Sequence, residues 1–219
     1  MNYLLSRIRR WRTAAVIGVA VLAVCVCLAA VEQDNWERRD AWQRPAEVMD
    51  ALGLVAGSRV ADVGAGSGYF TFRLAERVGP EGRVYAVDVS KSDVEKIRER
   101  AKRDALVQIE AIFSAKDDPQ LPAESLDAIL VVNAYHEMRE FDAMMRGFYR
   151  ALKPGGRLGI IDDTADAGKP RSYYQDRHKI SEELVREDAE RNGFRFRSKE
   201  PGFRNADNED WFFLIFEKP

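Results

Sequence analysis

The sequence predicts an α/β fold in which a mostly parallel sheet is covered by helices on both faces. Strand-like and helix-like patterns alternate from residue 46 onward, and several strands are continuous apolar runs. These runs lie at 59–63, 128–132 and 157–161. Strands that are buried on both faces of a sheet have such continuous apolar sequences. Only a turn-rich loop separates the last two strands, 194–198 and 211–216, so we expect them to pair antiparallel.

The individual elements follow from periodicity and from turn residues. We expect helices at 46–54, 69–78, 93–104, 141–152 and 181–191. The remaining strands are expected at 83–87 and 107–113. Ser181 is the predicted N-cap of the last helix, because acidic residues occupy its early turns. We predict one domain at residues 46–219, preceded by a charged and aromatic linker at 32–45.

The N-terminus carries an apolar segment that predicts contact with a membrane. Residues 14–31 contain no charged group, and four arginines precede them. Eighteen helical residues span about 27 Å, close to the apolar thickness of a bilayer. We therefore interpret residues 1–31 as a signal or transmembrane anchor helix, with cleavage and export as the alternative. Arginines on the inner side predict a domain on the periplasmic, extracytoplasmic side.

Charge and cysteine content exclude several classes of function. Because four of the 34 basic residues lie in residues 1–31, the rest of the chain has 30 basic against 36 acidic side chains. An acidic domain is not attracted to phosphate backbones, so we expect no nucleic-acid partner. Both cysteines, Cys25 and Cys27, lie in the apolar segment. The domain therefore has no thiolate metal site and no cysteine nucleophile.

A glycine-rich turn follows the first strand, where α/β folds bind nucleotides. It contains Gly64, Gly66 and Gly68. Glycines let a ligand approach the backbone, and free amides at a helix N-terminus bind it. Tyr69 is too large for the helix–strand packing of a dinucleotide site, which disfavours NAD and FAD. Asp88 ends the next strand, where a carboxylate can accept both ribose hydroxyls of an adenosine.

With these residues the chain resembles the class I S-adenosylmethionine-dependent methyltransferases. The motifs are Asp62–Gly68, Asp88, Leu126–Ile129 and Leu152–Gly156, and the resemblance covers about residues 40–219. It implies a Rossmann-like three-layer sandwich whose sheet has seven mostly parallel strands and an antiparallel final strand. It also implies S-adenosyl-L-methionine as cofactor. The residues it assigns to cofactor binding are Asp62, Gly64, Ala65, Gly66, Ser67, Gly68, Asp88 and Asn133.

Two further motifs resemble a narrower group of bacterial methyltransferases with N-terminal export or anchor segments. They are Trp42-Gln43-Arg44-Pro45 and Tyr135-His136-Glu137. One position departs from the family pattern, because Ala115 stands where many relatives place an acid on the adenine amine. Asp117 or a backbone group is the expected substitute.

The segment after the fourth strand is where the acceptor should meet the cofactor. His136 has the pKa range of a general base, Glu137 is expected to orient it, and Tyr135 is expected to flank the sulfonium. The alternative is that His136 and Glu137 only begin the next helix. Asn133-Ala134-Tyr135 differs from the signature of enzymes that methylate DNA amino groups, which again disfavours nucleic acid.

A metal site is a minor alternative at the end of the fifth strand. Asp162 and Asp163 could bind a divalent ion together with His178, but adjacent carboxylates more often cap a loop, so we predict no metal site. The loop at 164–179 is the expected substrate-specific element.

These observations predict methyl transfer from S-adenosylmethionine to an unidentified, small-molecule acceptor. The alternative is a non-catalytic S-adenosylmethionine or nucleoside-binding module tethered to the membrane. An extracytoplasmic domain favours this alternative, because a supply of the cofactor there is not obvious.

Overall fold

The computed structural model describes residues 36–204, 207 and 209–219. The predicted anchor at 1–31 lies outside the described residues. Residues 36–43 are helical, although they belong to the segment predicted as a linker. The chain divides into two compact units, Met1–Ala41 and Trp42–Pro219. Among the helices of the described part of the chain, none is both long enough and apolar enough to cross a bilayer.

A seven-stranded sheet forms the centre of the second unit. Its strands are β1 (Arg59–Val63), β2 (Arg83–Asp88), β3 (Ile109–Phe113), β4 (Leu126–Val132), β5 (Leu152–Asp163), β6 (Arg195–Glu200) and β7 (Trp211–Glu217). Their order is β3-β2-β1-β4-β5-β7-β6. Strands β1 to β5 pair in parallel, and β7 pairs antiparallel with both β5 and β6. The predicted mostly parallel sheet with an antiparallel final strand is confirmed.

Helices cover both faces of this sheet. They are α1 (Pro45–Ala51), α2 (Tyr69–Val78), α3 (Lys91–Arg103), α4 (Phe141–Ala151), α5 (Arg171–Gln175) and α6 (Glu182–Arg191), with a 3₁₀ turn at Tyr135–Glu137. The side chains of Ala61 and Val63 belong to the same buried cluster as those of α4 and α6. Successive strand residues point to opposite faces, so Val60 and Asp62 are buried on the other side, where α2 contacts β1 and β2.

Two further segments differ from their predicted structure. Strand β5 begins at Leu152, before the expected position 157, because Leu152 pairs with Leu126 of β4 and the Gly155 amide donates to the carbonyl oxygen of Lys218. Long-range pairing therefore makes a strand of residues whose composition is typical of a turn. The loop at 164–179 contains the unexpected short helix α5. The N-cap of α6 is as predicted, since the Ser181 hydroxyl accepts from the Leu184 amide.

The order of the strands determines where a ligand can bind. Strand β1 lies between β2 and β4. The chain continues from β1 through β2 and β3 on one side and then crosses to β4 and β5 on the other side. In open α/β sheets a crevice forms at such a point, outside the carboxyl ends of the strands. Here those ends are Val63 of β1, Asp88 of β2 and Val132 of β4.

Candidate active site

A cleft of about 400 Å³ opens at the carboxyl ends of β1, β2 and β4. Of the residues predicted to bind cofactor, Gly64, Gly66, Asp88 and Asn133 line it. The glycine loop after β1 and the segment after β4 therefore face each other across the space predicted for the cofactor.

Gly64 is the point at which these two segments touch. Its φ of 75° lies in the left-handed region, and a Cβ added here would lie 2.4 Å from the Cβ of Ala134. Only glycine fits this close approach without moving the backbone. Gly68 has a different role, because it is the N-cap of α2 and its added Cβ would lie 2.8 Å from the Phe72 ring. Gly68 serves the packing of the helix and is not among the described residues that line the cleft.

Asp88 braces the glycine loop from the end of β2. Its Oδ2 accepts a hydrogen bond from the Gly66 amide at 2.8 Å, and its Oδ1 accepts one from the Ser90 amide at 2.7 Å. The Ser90 hydroxyl caps α3 by accepting from the Asp93 amide. Each carboxylate oxygen has further acceptor capacity, so the group can still receive ribose hydroxyls. Asp88 therefore orders the loop and faces the cleft at the same time.

Three other predicted cofactor residues are not among the described residues that line the cleft. Asp62 is buried, and its Oδ2 accepts a hydrogen bond from the Thr71 hydroxyl at 2.6 Å, which ties β1 to α2. Ala65 and Ser67 are likewise absent from the described lining of the cleft. Their direct contact with cofactor stays a prediction, and the geometry gives Asp62 a supporting position beneath the loop.

The expected adenine end of the cleft is lined by Ser114, Ala115 and Lys116. Asp117, the acid expected to replace the one missing at Ala115, is exposed and is not among the described residues lining the cleft. The polar residues that line this end are Ser114 and Lys116.

His136 is held rigidly by a buried carboxylate. Its Nδ1 lies 2.7 Å from Oδ1 of Asp162, and its backbone amide donates to Oδ2 of the same group at 3.0 Å. Burial lowers the pKa of the imidazole, but the hydrogen bond and charge of Asp162, with the charges of Glu137 and Asp163, outweigh it and raise that pKa above its ordinary value. A carboxylate that fixes a histidine ring in this way also fixes its tautomer.

The orienting residue is thus Asp162, where the sequence suggested Glu137. Oε1 of Glu137 lies 3.7 Å from Nε2 of His136, which is beyond hydrogen-bond distance. The same Oε1 lies 3.5 Å from Nδ1 of His178, and the two imidazoles meet edge to face with centroids 5.5 Å apart. Glu137 lines the cleft, whereas His136 is buried and is not among the described residues that line it. Asp163 forms an ion pair with Lys179 of the following loop, with Oδ1 3.3 Å from Nζ.

Tyr135 points into the core, away from the cleft. It is fully buried, and its hydroxyl donates to Oδ2 of Asp188 at 2.8 Å. Burial, reinforced by the charge and hydrogen bond of Asp188, raises the pKa of Tyr135 well above its ordinary value. Asp188 also binds Arg171 and Arg191. This position does not fit the contact with the sulfonium that the sequence suggested, and it makes Tyr135 part of a buried polar network.

Sequence reasoning also missed several residues of the cleft. Those at the end near β4 are Ala134, Met138, Arg139 and Met144. The first three directly surround the Tyr135–Glu137 turn, so their proximity to it was the available signal. Met144 belongs to the first turn of α4, and only the packing of that helix brings it to the cleft.

The chain is similar to known methyltransferases along most of the described unit. Residues 60–156 match the family model described as a methyltransferase domain. A demethylmenaquinone methyltransferase from Listeria welshimeri is 31% identical over 121 residues, which are 55% of this chain and 50% of the relative. A ubiquinone/menaquinone biosynthesis C-methyltransferase from Vibrio parahaemolyticus is 26% identical over 155 residues, 68% of this chain and 59% of the relative.

The chain thus spans about half the length of the curated relatives that it matches. Among solved structures, an S-adenosylmethionine-dependent methyltransferase from Aquifex aeolicus has a TM-score of 0.67 and 28% identity, with 80% of this chain and 89% of that chain covered. The glycine loop, Asp88 and the segment after β4 all lie within residues 60–156, which match the family model. Residues 60–156 are thus similar to a methyltransferase domain, and the similarity to S-adenosylmethionine-dependent methyltransferases supports S-adenosyl-L-methionine as the cofactor.

Proposed function

We propose that this chain is an S-adenosylmethionine-dependent methyltransferase that acts on a small, largely apolar acceptor. The observation that carries the proposal is the lining of the cleft near β4, where Ala134, Met138 and Met144 present apolar side chains next to the Tyr135–Glu137 turn. Such a wall favours a ligand with apolar bulk and a few polar atoms. The relatives named for demethylmenaquinone and for ubiquinone/menaquinone biosynthesis make demethylated quinones the first class to test.

The residues of the cleft fit the cofactor. Gly64 and Gly66 leave the loop without side chains on the cleft, and Asp88 offers carboxylate oxygens at the end of β2. When bound, S-adenosylmethionine supplies an electrophilic methyl group. Asp88 would accept the ribose hydroxyls, while the apolar side chains near β4 orient the acceptor and exclude water from it. Alignment of this kind is the main contribution a protein makes to a direct displacement.

His136 is the proposed base for an acceptor that must lose a proton. Asp162 holds Nδ1, so Nε2 is the nitrogen left to take that proton. This nitrogen lies 3.7 Å from Oε1 of Glu137, which lines the cleft, whereas His136 is not among the described residues that line it. Proton transfer from the acceptor to Nε2 therefore requires the Glu137 side chain to move aside or to pass the proton on.

The predicted anchor would keep such an enzyme close to lipophilic acceptors. This part of the proposal rests on the apolar run at 14–31 alone. The compared relatives are named as methyltransferases and lend no support to the alternative of a non-catalytic binding module.

The test is methyl transfer by the full chain in detergent, with labelled S-adenosylmethionine. We expect methylation of demethylated quinones and none of polar acceptors of similar size. Asp88→Asn should weaken calorimetric binding of S-adenosylhomocysteine about tenfold, or 1.4 kcal/mol. The exposed Glu95→Gln is the control and should bind normally. Methylation confined to polar acceptors would contradict the proposal.

A further inference from the structure

We propose that His136, Glu137 and His178 form a binding site for a divalent first-row transition-metal ion at the rim of the cleft. The chain has two histidines, 42 positions apart in sequence, and both lie in this cluster. One ligand atom from each of the three side chains lies within 4.8 Å of the other two. Two imidazoles and one carboxylate are the donor set of many zinc, manganese and iron sites.

The spacing of the three atoms is close to that of metal ligands. Two atoms bound at about 2.1 Å to one ion, at tetrahedral or octahedral angles, lie roughly 3.0–3.4 Å apart. Oε1 of Glu137 is 3.7 Å from Nε2 of His136 and 3.5 Å from Nδ1 of His178. A shift of a few tenths of an ångström brings Oε1 of Glu137 to this spacing from both nitrogens. The side chains of Glu137 and His178 are 65% and 75% exposed and are free to make that shift.

The buried partner of His136 prepares its outward nitrogen for a metal. Asp162 accepts from the backbone amides of His136 and Asp163, so its carboxylate is held as an acceptor. Its Oδ1 lies 2.7 Å from Nδ1 of His136, which therefore carries a hydrogen. The lone pair of Nε2 then faces Glu137 and His178. A carboxylate behind a ligating histidine is the usual outer shell of protein metal sites.

An ordinary surface ion pair explains this arrangement less well. A pair as exposed as Glu137 and His178 contributes little to stability. His178 has a φ of 51°, a left-handed conformation uncommon outside glycine. In this conformation the largely exposed ring still meets the His136 ring edge to face, with centroids 5.5 Å apart. A metal ligand gives a reason for keeping it.

The metal site adjoins the part of the cleft where we propose that the acceptor binds, because Glu137 is a ligand of the site and also lines the cleft. Three protein ligands leave at least one coordination position open, as in catalytic zinc sites. An oxygen atom of the acceptor, a hydroxyl or a ring carbonyl, would occupy it. A hydroxyl would lose its proton to the solvent that reaches the exposed Glu137 and His178, and the ion would stabilise the oxyanion that remains. This second part rests on the proposed function, whereas metal binding does not. A metal ion bound to Nε2 would occupy the lone pair with which His136 takes a proton as a base. His136 therefore cannot act as the base while the ion is bound.

Metal titration of the full chain in detergent, after treatment with a chelator, tests the site. We expect one Co²⁺ per chain with visible absorption bands, and displacement of Co²⁺ by Zn²⁺. Glu137→Gln and His178→Asn should each weaken binding at least tenfold; asparagine tolerates the left-handed backbone of position 178. Asp162→Asn should weaken binding 10- to 100-fold without touching the ion. The exposed Asp176→Asn, on the same loop, is the control and should leave binding unchanged.

Two results would overturn the metal site. One is the lack of stoichiometric binding by folded wild-type protein, and the other is binding that both ligand variants leave intact. Calorimetric binding of S-adenosylhomocysteine by the same samples separates these results from failure of the cofactor site. Methyl transfer to an apolar acceptor that persists fully in chelator would remove the metal from the reaction while leaving the proposed function standing. Metal binding without transfer to any apolar acceptor would contradict the proposed function alone.

Discussion

Asp162 shows how one buried carboxylate can determine the properties of a site. It is fully buried, and its oxygens are satisfied by His136 and by two backbone amides. A buried charge is tolerated only when it is hydrogen-bonded in this way. These hydrogen bonds offset the free-energy cost of burying the carboxylate, and through them Asp162 controls the orientation and charge of His136.

We expect Asp162→Asn to lower the pKa of His136 in the metal-free protein. Glu137 and Asp163 also raise that pKa but hold no hydrogen bond to the ring, and His178 faces it from the next loop. Because the folded pKa is raised, the stability gained from the protonated ring is complete below about pH 6.5 and is lost as pH rises through the folded value. NMR titration of the ring measures the change. An unaltered pKa in the variant would contradict this role of Asp162.

Gly64 offers a second test at the scale of one residue. Gly64→Ala combines a left-handed backbone, which costs about 1–2 kcal/mol for a residue with a Cβ, with a Cβ placed 2.4 Å from that of Ala134. We expect a total loss of about 3 kcal/mol in the free energy of unfolding, with overpacking as the second contribution. Gly66→Ala is the matched control, since its φ is also positive but its Cβ meets nothing within 4 Å. Chemical denaturation of both variants compares them, and equal losses would show that the contact with Ala134 is unimportant.

At the scale of elements, helix α6 is joined to the turn at the end of β4 by one side chain. Asp188 of α6 accepts from the Tyr135 hydroxyl and pairs with Arg171 of α5 and Arg191 of its own helix. Arg171 in turn lies over the Phe141 ring, with its guanidinium carbon 3.5 Å from the ring centroid. The buried Asp188 therefore connects three elements around the site.

Removal of this connection should cost more than removal of any exposed ion pair. We expect Asp188→Ala to lose about 3–5 kcal/mol of unfolding free energy, because it leaves Arg171 mostly buried without its carboxylate and the Tyr135 hydroxyl without an acceptor. Asp142→Asn disturbs the more exposed pair with Arg191 and should cost less than about 1 kcal/mol. Urea denaturation measures both. Similar costs for the two variants would show that the buried network carries little stability.

Local pattern predicted the elements whose structure is set by nearby residues. Strand β1 and helix α2 have the predicted bounds, because an apolar run, a glycine turn and an amphipathic segment follow one another directly. The same turn brought Gly64 and Gly66 to the cleft. The early start of β5 and the partners of His136 and Tyr135 depend on pairings 26 to 53 residues apart. No local pattern in the sequence marks Asp162 or Asp188 as the partner of a distant side chain.

At the scale of the whole molecule, the predicted anchor determines on which side of a membrane the domain would lie. The arginines before the apolar run predict the extracytoplasmic side. That side would require S-adenosylmethionine outside the cytoplasm. The cysteine content makes the question accessible to chemistry, since both cysteines of the chain lie in the apolar run at 14–31.

Val107→Cys places a single thiol on the surface of the domain, because Val107 is 75% exposed. We expect a membrane-impermeant maleimide to label this variant in intact spheroplasts as fully as in detergent. The wild type should stay unlabelled, because the predicted anchor would place its thiols within the bilayer and cleavage of a signal would remove them. Ala86→Cys, at a fully buried position of β2, controls for unfolding and should react only in denaturant. Labelling of Val107→Cys that requires lysis would put the domain on the cytoplasmic side. The arginine cluster would then not set the topology, and the enzyme would draw directly on the cofactor of the cell interior.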